Sequence, residues 1–314
     1  MIKYSVLIPA YNRVLETERA IESVLRQKTK DYEIIVLNDA SKEDFEPLKM
    51  KYKNQVKFLV HKKNKGLSAS RNDLVTIAKG KYIVFLDNDD YIDEKFFETI
   101  DEYTNDDIDI ISFTYDEKCL TDDNNVTVYH KVPFEITSGI DALVSWINSG
   151  NSFDSSCSYV YNREFFTKNK FKFSEGRAHE DYALTSVVLS KAKKVVSLDM
   201  PLYHVVFTSE SITRGINQEK LKRNIYDTLY HFDNLLDYFT NLDIDKKKKK
   251  VIYSFLANSV LNNVNKLKGI DNKKYIKELR NRKVHKLLLN DSLKRKTKKM
   301  LVSFNYRLFL IVRR

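Results

Sequence analysis

The chain has 314 residues, 42% of them hydrophobic, with only seven glycines and four prolines, which supports a sizeable globular core and excludes an extended or low-complexity architecture. Two cysteines, Cys119 and Cys157, exclude a disulfide framework or a cysteine metal site and fit a reducing, cytoplasmic setting. The net charge of +11 is uneven: residues 244–314 carry 22 Lys/Arg against 4 Asp/Glu while residues 1–243 carry 32 against 39, so a polyanion-seeking basic tail follows an acidic body.

Met1-Ile2-Lys3-Tyr4 runs into a short apolar stretch ended by Pro9, which does not read as a secretory signal, and no apolar run is long enough to span a membrane. Apolar, β-branched runs predict strands at Tyr4–Ile8, Glu33–Leu37, Val56–Val60, Tyr82–Leu86 and Ile108–Phe113. Helical spacing predicts helices between them at Val14–Gln27, Phe45–Tyr52 and Leu67–Ala78. This alternation is that of βαβ units: an α/β fold with a mostly parallel central sheet, binding ligands where loops leave the carboxyl ends of strands. Helices at Ile140–Ile147 and Asp181–Leu189 and a strand at Val195–Val206 complete the same domain, expected over 1–214. A basic helical region, 215–314, follows, with helices at Leu221–Phe239, Val251–Leu267, Lys274–Leu289 and Lys294–Val312 and with Lys246–Lys250 as a solvated joint.

Polar clusters stand at three of the strand ends. Pro9-Ala10-Tyr11-Asn12, before the helix that contains Glu16, offers a ring able to stack on a base. Asn38-Asp39-Ala40-Ser41 offers a carboxylate able to accept from a uracil N–H or a ribose hydroxyl. Taken singly, each is ordinary turn chemistry. Asp87-Asn88-Asp89-Asp90 differs, because it crowds like charges directly after a buried strand, where folding gains nothing from them. One Asp suffices to cap the helix that starts near Asp93-Glu94. Three point to Mg²⁺ or Mn²⁺, which takes one or two carboxylates and completes its shell with substrate phosphates.

Gly66-Leu67-Ser68-Ala69-Ser70-Arg71-Asn72, followed by Ala78-Lys79-Gly80 and the strand that ends in Asp87-Asn88-Asp89-Asp90, resembles the signature of family 2 glycosyltransferases with the GT-A fold. The clusters at Pro9 to Asn12 and Asn38 to Ser41 are similar to that family's first two nucleotide-binding loops. Gly176-Arg177-Ala178-His179-Glu180-Asp181-Tyr182 resembles its Glu-Asp motif at the head of a helix. Pro201-Leu202-Tyr203-His204 with Ser211-Ile212-Thr213 is similar to the loop that closes over the nucleotide, so the resemblance covers residues 1–214. Asn38 stands where Asp is common, Ala40 where Gly is usual and Ser70 where Ala is typical; Ala40 matters only if its turn requires positive φ.

The resemblance implies an inverting transferase that moves a sugar from a nucleotide-diphosphate donor, a UDP-sugar, to a hydroxyl of a glycan or lipid-linked acceptor in bacterial surface-polysaccharide synthesis. Pro9, Tyr11, Asn12, Glu16, Asp39, Ser41, Gly66, Arg71, Asp87 and Asn88 form the expected donor-binding set. Asp89 is the expected metal ligand, with Asp87 near the ribose and the metal waters, and His204 is either a further ligand or a structural residue of an apolar strand. Arg71 is expected to contact a phosphate or a carboxylate of the site. Asp181 is the expected general base, with Glu180 orienting the acceptor or substituting for it; one base and no second nucleophile imply a single displacement. Trp146, Tyr159, Tyr161 and Phe165 read as core rather than as a sugar platform, with Tyr159 the first alternative should one of them be a platform.

In the tail, Val251, Ile252, Phe255, Leu256, Val260, Leu261, Val264 and Leu267 recur at helical spacing and give the segment a face to bury. Lys294-Arg295-Lys296 and Lys298-Lys299, joined to Leu308-Phe309-Leu310-Ile311-Val312 and Arg313-Arg314, suit a helix lying on the anionic inner face of the plasma membrane; a homo-oligomer interface is the other use of the tail. Rival readings are a non-catalytic nucleotide-sugar-binding module, a polyanion-binding module and a nucleotidyltransferase. The first would have lost Asp87, Asp89 or Asp181, and the last would show a glycine-rich basic loop where Pro9 to Asn12 stand. No nucleic-acid motif accompanies the charge, so no nucleic-acid partner is expected.

Overall fold

The computed structural model describes residues 2–104, 107–119, 122–207, 218–264 and 266–306, with the side chains of 122–125 and 270 left out. Ser211-Ile212-Thr213 and the stretch from Leu308 to Arg314 therefore lie outside the described residues. The chain divides into two compact units, Met1–Gly176 with Glu180–Arg214, and Arg177–His179 with Gly215–Arg314.

The first unit opens with β1 (Tyr4–Ala10), α1 (Val14–Leu25), β2 (Tyr32–Asn38), α2 (Glu46–Tyr52), β3 (Val56–Val60), α3 (Leu67–Ile77) and β4 (Tyr82–Phe85). β1 pairs in parallel with both β2 and β4, and β3 extends β2 in parallel. Each parallel connection passes through a helix that covers the sheet, and β1, flanked by β2 and β4, is buried along its whole length. The turn into β4 needs Gly80: a Cβ there would lie 2.6 Å from Ser5 N and Tyr4 C, and Ser5 Oγ accepts from the Gly80 amide at 2.8 Å.

The second half of this unit comprises β5 (Tyr91–Ile92), α4 (Phe96–Asp101), β6 (Ile110–Cys119), β7 (Asp122–Tyr129), β8 (Phe134–Thr137), α5 (Gly139–Ser149), β9 (Tyr159–Asn162), α6 (Arg163–Lys168), α7 (Glu180–Lys191) and β10 (Val195–Phe207). The described sheet has ten strands in the order β3-β2-β1-β4-β9-β6-β10-β5, with β7 on β6 and β8 on β10. The strand expected at Ile108 begins two residues later and runs on to Cys119, because β7 pairs with its far half. β9 was not foreseen; it slots antiparallel between β4 and β6 and closes the sheet behind the site.

Trp146, Tyr159 and Tyr161 are core, as expected, and Tyr159 is fully buried and donates from its hydroxyl to Phe153 O at 2.6 Å. That burial removes it as a sugar platform. Between the Trp146 and Tyr159 rings lies Lys131, 4% exposed, its Nζ 5.0 and 4.8 Å from the ring centroids and 3.0 Å from Ser112 Oγ. Burial pushes its amine down to about 7 from an ordinary 10.5. A depressed folded-state pKa means stability that is present above the ordinary value and lost as pH falls through the folded one. Lys131→Met is therefore expected to raise the melting temperature at pH 6 by at least about 2 °C, with the gain shrinking toward pH 10, in paired thermal melts.

The second unit contains α8 (Gln218–Asn241), α9 (Lys246–Leu261), α10 (Gly269–Asn281), a 3₁₀ turn at Val284–Leu287 and α11 (Leu293–Phe304). Lys246–Lys250 is not a joint but the first turns of α9. Asp245 makes this so, its carboxylate accepting from the Lys247 and Lys248 amides at 2.8 and 3.2 Å; a good cap plus lysine's helix propensity outweighs five like charges at the positive end of the dipole. The single helix expected at Lys274–Leu289 breaks instead, with Lys283 left-handed at φ 53°. Ile252, Leu256, Val260, Leu261, Val264 and Leu267 are buried, as their spacing predicts. Among the described residues no helix is long and apolar enough to cross a membrane.

Candidate active site

The two loops expected to bind the nucleotide are laced together at the carboxyl ends of β1 and β2. The Asn12 amide donates to Ser41 Oγ at 2.8 Å, the Lys42 amide donates to Asn12 Oδ1 at 2.9 Å and the Ser41 amide donates to Asn38 Oδ1 at 2.8 Å. Pro9 is buried inside β1, whereas the Tyr11 ring beyond it is 42% exposed. Glu16 sits in the first turn of α1. Ala40 has φ 55°, so its turn does require the left-handed region that glycine adopts freely. Ala40→Gly is expected to stabilise the protein by about 0.5–1 kcal/mol, read as a shift in the urea midpoint; a loss of stability would contradict the strain.

Asp39 organises the loop after β3. Its Oδ1 accepts from the Lys65 amide at 2.8 Å and faces His61 Nδ1 at 2.6 Å, and its Oδ2 accepts from the Gly66 amide at 2.7 Å. Gly66, at φ 88°, directly precedes α3. A carboxylate has about four lone-pair sites, so Asp39 keeps one acceptor direction beyond these three bonds.

The acidic cluster leaves β4 beside the first loop. Asn88 Nδ2 donates to Asn12 O at 3.2 Å and to Thr17 Oγ1 at 3.0 Å. The Arg13 guanidinium pairs with the Asp89 carboxylate, and Arg19 donates to the Asp89 carbonyl. Asp90 is buried and accepts from Tyr203 OH at 2.7 Å and from the Val206 amide at 2.9 Å. Burial and then the neighbouring Asp87 push the Asp89 carboxyl above its ordinary range, and burial with Asp87 and Asp89 pushes Asp90 up to about 8. Both shifts register burial and like-charge repulsion within the cluster, which a bound divalent cation would relieve. Among the described residues no group of three or more His, Cys, Asp or Glu is arranged to hold a metal. A cation that shares its shell with substrate phosphates needs only one or two carboxylates, so Asp87 and Asp89 fit it.

Arg71 joins this cluster to the head of α7. It is 1% exposed, donating from Nη2 to Asp87 Oδ1 at 2.7 Å and from Nη1 to Asp181 Oδ1 at 2.7 Å and Glu180 Oε1 at 3.2 Å. Of the two contacts expected for it, the structure places it on carboxylates. Asp181 also accepts from Ser156, from its amide at 3.1 Å and its hydroxyl at 3.0 Å. Burial raises both acids, with Arg71 lowering and Asp87 raising Asp181, and Asp181 raising Glu180. His204 Nδ1 lies 2.7 Å from Asp116 Oδ1 and its Nε2 3.5 Å from Asp93 Oδ2.

Three contributors escaped the sequence reading: Arg13, Arg19 and Ser156. Arg13 had a visible signal, a cation directly after Tyr11-Asn12 and before the helix. The other two are set by contacts across the fold that no local pattern announces, as are the bonds of Tyr203 to the Asp87 amide and to Asp90 within a motif that the sequence did show.

Residues 5–169 match the family described as Glycosyl transferase family 2. The chain belongs to that family. It is 26% identical over 253 residues to the uncharacterized glycosyltransferase YibD of Escherichia coli K12, covering 78% of this chain and 73% of that protein. It is 32% identical over 221 residues to the poly(ribitol-phosphate) beta-N-acetylglucosaminyltransferase TarP of Staphylococcus aureus N315, covering 67% of this chain and 65% of TarP, just under two thirds of its length. In three dimensions it is similar to residues 1–349 of S. aureus TarS in complex with UDP-GlcNAc, with a TM-score of 0.75 at 17% identity, covering 99% of this chain and 90% of that one. The body is thus a GT-A fold, and the protein is a family 2 glycosyltransferase related to enzymes of bacterial surface-polymer synthesis.

Proposed function

We propose that this glycosyltransferase moves a sugar from a UDP-sugar to a hydroxyl of a glycan or lipid-linked acceptor, by a single displacement with inversion. The observation that carries the reading is Arg71, whose one guanidinium touches Asp87 on the donor side and Asp181 and Glu180 on the acceptor side. A shared cation keeps those carboxylates close enough for one sugar to lie between leaving group and base. Tyr11 stacks on the uracil, and the acceptor direction left on Asp39 takes a uracil N–H or ribose hydroxyl. Asn12, Ser41, Asn88 and the Gly66 turn shape the walls of that pocket, with Pro9 and Glu16 behind them.

Asp89, with Asp87 beside it, would hold Mn²⁺ or Mg²⁺, which when bound neutralises the departing diphosphate. His204, engaged by Asp116 and Asp93, is left out of this set. Asp181 takes the proton of the attacking hydroxyl: burial raises its affinity for that proton, and Ser156 fixes its orientation. Glu180 steers the acceptor.

UDP-GlcNAc is the first donor to test, since TarS holds it in the matching fold. A panel of UDP-sugars with Mn²⁺, scored by UDP release and thermal shift, should single out a donor, and Asp89→Asn should abolish its turnover. Absence of any shift or turnover, or full activity in Asp89→Asn, would sink the mechanism.

The helical unit serves acceptor delivery. On α11, Leu293, Met300 and Phe304 are 82, 64 and 85% exposed and recur on one face among lysines, as in a helix that rests its apolar side in a head-group layer. This supports peripheral attachment to an anionic membrane over a helical oligomer. Full-length protein should co-sediment with phosphatidylglycerol vesicles, and the triple change Leu293→Ser, Met300→Ser, Phe304→Ser should release it; equal pelleting of both would remove the idea.

A further inference from the structure

Beside Asp39 stands a histidine that no motif of the sequence singled out. His61 directly follows β3, and its amide donates to Asn38 O at 2.9 Å, so the β2–β3 ladder fixes its backbone next to Asp39. Its side chain is 9% exposed, and both ring nitrogens face carboxylates: Nδ1 lies 2.6 Å from Asp39 Oδ1, and Nε2 lies 2.9 Å from Asp73 Oδ2. A carboxylate only accepts, so each contact is a hydrogen bond where that nitrogen carries a proton. Asp73, on α3, also pairs with Lys65 Nζ at 2.9 Å. The bond from Lys65, and then that from His61, hold its carboxyl below the ordinary range, which keeps it an ionised acceptor for Nε2.

The lone pairs of Asp39 give this arrangement a consequence for the nucleotide. Oδ1 faces His61 Nδ1 and accepts from the Lys65 amide, which fills both of its acceptor directions. Oδ2 accepts from the Gly66 amide alone among the described residues. The open direction therefore belongs to Oδ2. Without the ring, each oxygen would keep one backbone bond and one open direction, and nothing would distinguish the oxygen offered to a base.

We propose that His61 is a positioning residue for the donor: by donating from Nδ1 it occupies Asp39 Oδ1 and reserves Oδ2 as the single acceptor for the N–H of a uracil ring, while Asp73 holds the imidazole from its other side. The inference rests on the reading of Asp39 as a donor-binding residue. Uracil offers an N–H at the ring position where cytosine has an unprotonated nitrogen, so a fixed acceptor there selects UDP over CDP.

Two amide substitutions separate the contacts of the ring. His61→Asn puts an amide nitrogen where Nδ1 stands and keeps a donor for Asp39, whereas His61→Gln puts one where Nε2 stands and keeps a donor for Asp73. The probes are UDP and CDP, titrated calorimetrically with Mn²⁺ into the full-length protein, which should prefer UDP. His61→Gln should weaken UDP about tenfold and CDP by less than about twofold, which narrows that preference. His61→Asn should bind UDP within about threefold of the wild type. A role confined to loop stability predicts something else: equal losses in the two variants, or equal losses for the two nucleotides, and either result would overturn the proposal. Undiminished UDP affinity in His61→Gln, beside a weakened Asp39→Asn, would overturn the role of His61 alone. Undiminished affinity in Asp39→Asn as well would overturn the donor-site reading of Asp39 and this inference with it.

Discussion

Arg71→Met is expected to destabilise the protein by about 3–5 kcal/mol and to abolish sugar transfer. Arg71 is the shared counter-ion of Asp87, Glu180 and Asp181, and an apolar replacement leaves them facing one another without it. The deficit should shrink as pH falls, because protonation discharges carboxyls whose affinity for protons rises once the guanidinium is gone. Arg71→Lys should recover part of the stability and little of the activity, since one ammonium cannot fork between Asp87 and the α7 pair. Urea unfolding at pH 5 and pH 7.5 checks this, and a loss of under about 1 kcal/mol for Arg71→Met at the higher pH would mean that the cluster is neutralised in another way.

Asp181→Asn should lower kcat by about 10³-fold while leaving UDP-sugar binding nearly unchanged. Asparagine keeps an acceptor for the Ser156 bonds and loses only the capacity to take a proton. Because burial raises the Asp181 carboxyl, the wild-type rate should fall on the acid side at a pH above the ordinary carboxylate range, as the base becomes protonated. That limb should vanish in Asp181→Asn. Glu180→Gln, measured by the same UDP-release assay and calorimetry, should weaken acceptor use more than it lowers kcat; the reverse ranking would move the base to Glu180.

The parts of the fold and site that were legible in the sequence are those written in local pattern. β1, β2 and β4 could be read because buried strands are largely apolar runs, the edge strand β3 because its short run is rich in β-branched and aromatic residues, and the helices between them because they keep a period of 3.6. The Asp87 to Asp90 cluster stood out because like charges after a buried strand need a reason. What could not be read depends on distant partners or on short segments. β9 has four residues and β5 two, too few for a period to show. Arg71 could be flagged as a site residue, yet its two acceptor-side partners lie 109 and 110 positions away. Ala40 was visible as a departure from the resembling loops, but only the backbone shows that its turn needs positive φ. In the tail, charge composition suggested a joint where a single cap, Asp245, specifies a helix.

That cap has a practical corollary for handling the protein. Five consecutive lysines would ordinarily be the first place trypsin cuts, yet proteases need an extended substrate and α9 withholds one. Cleavage at Lys246–Lys250 therefore becomes a gauge of how often that helix end opens. Native protein should be nicked there only as fast as the segment frays, and Asp245→Ala should speed the nick several-fold without melting the body.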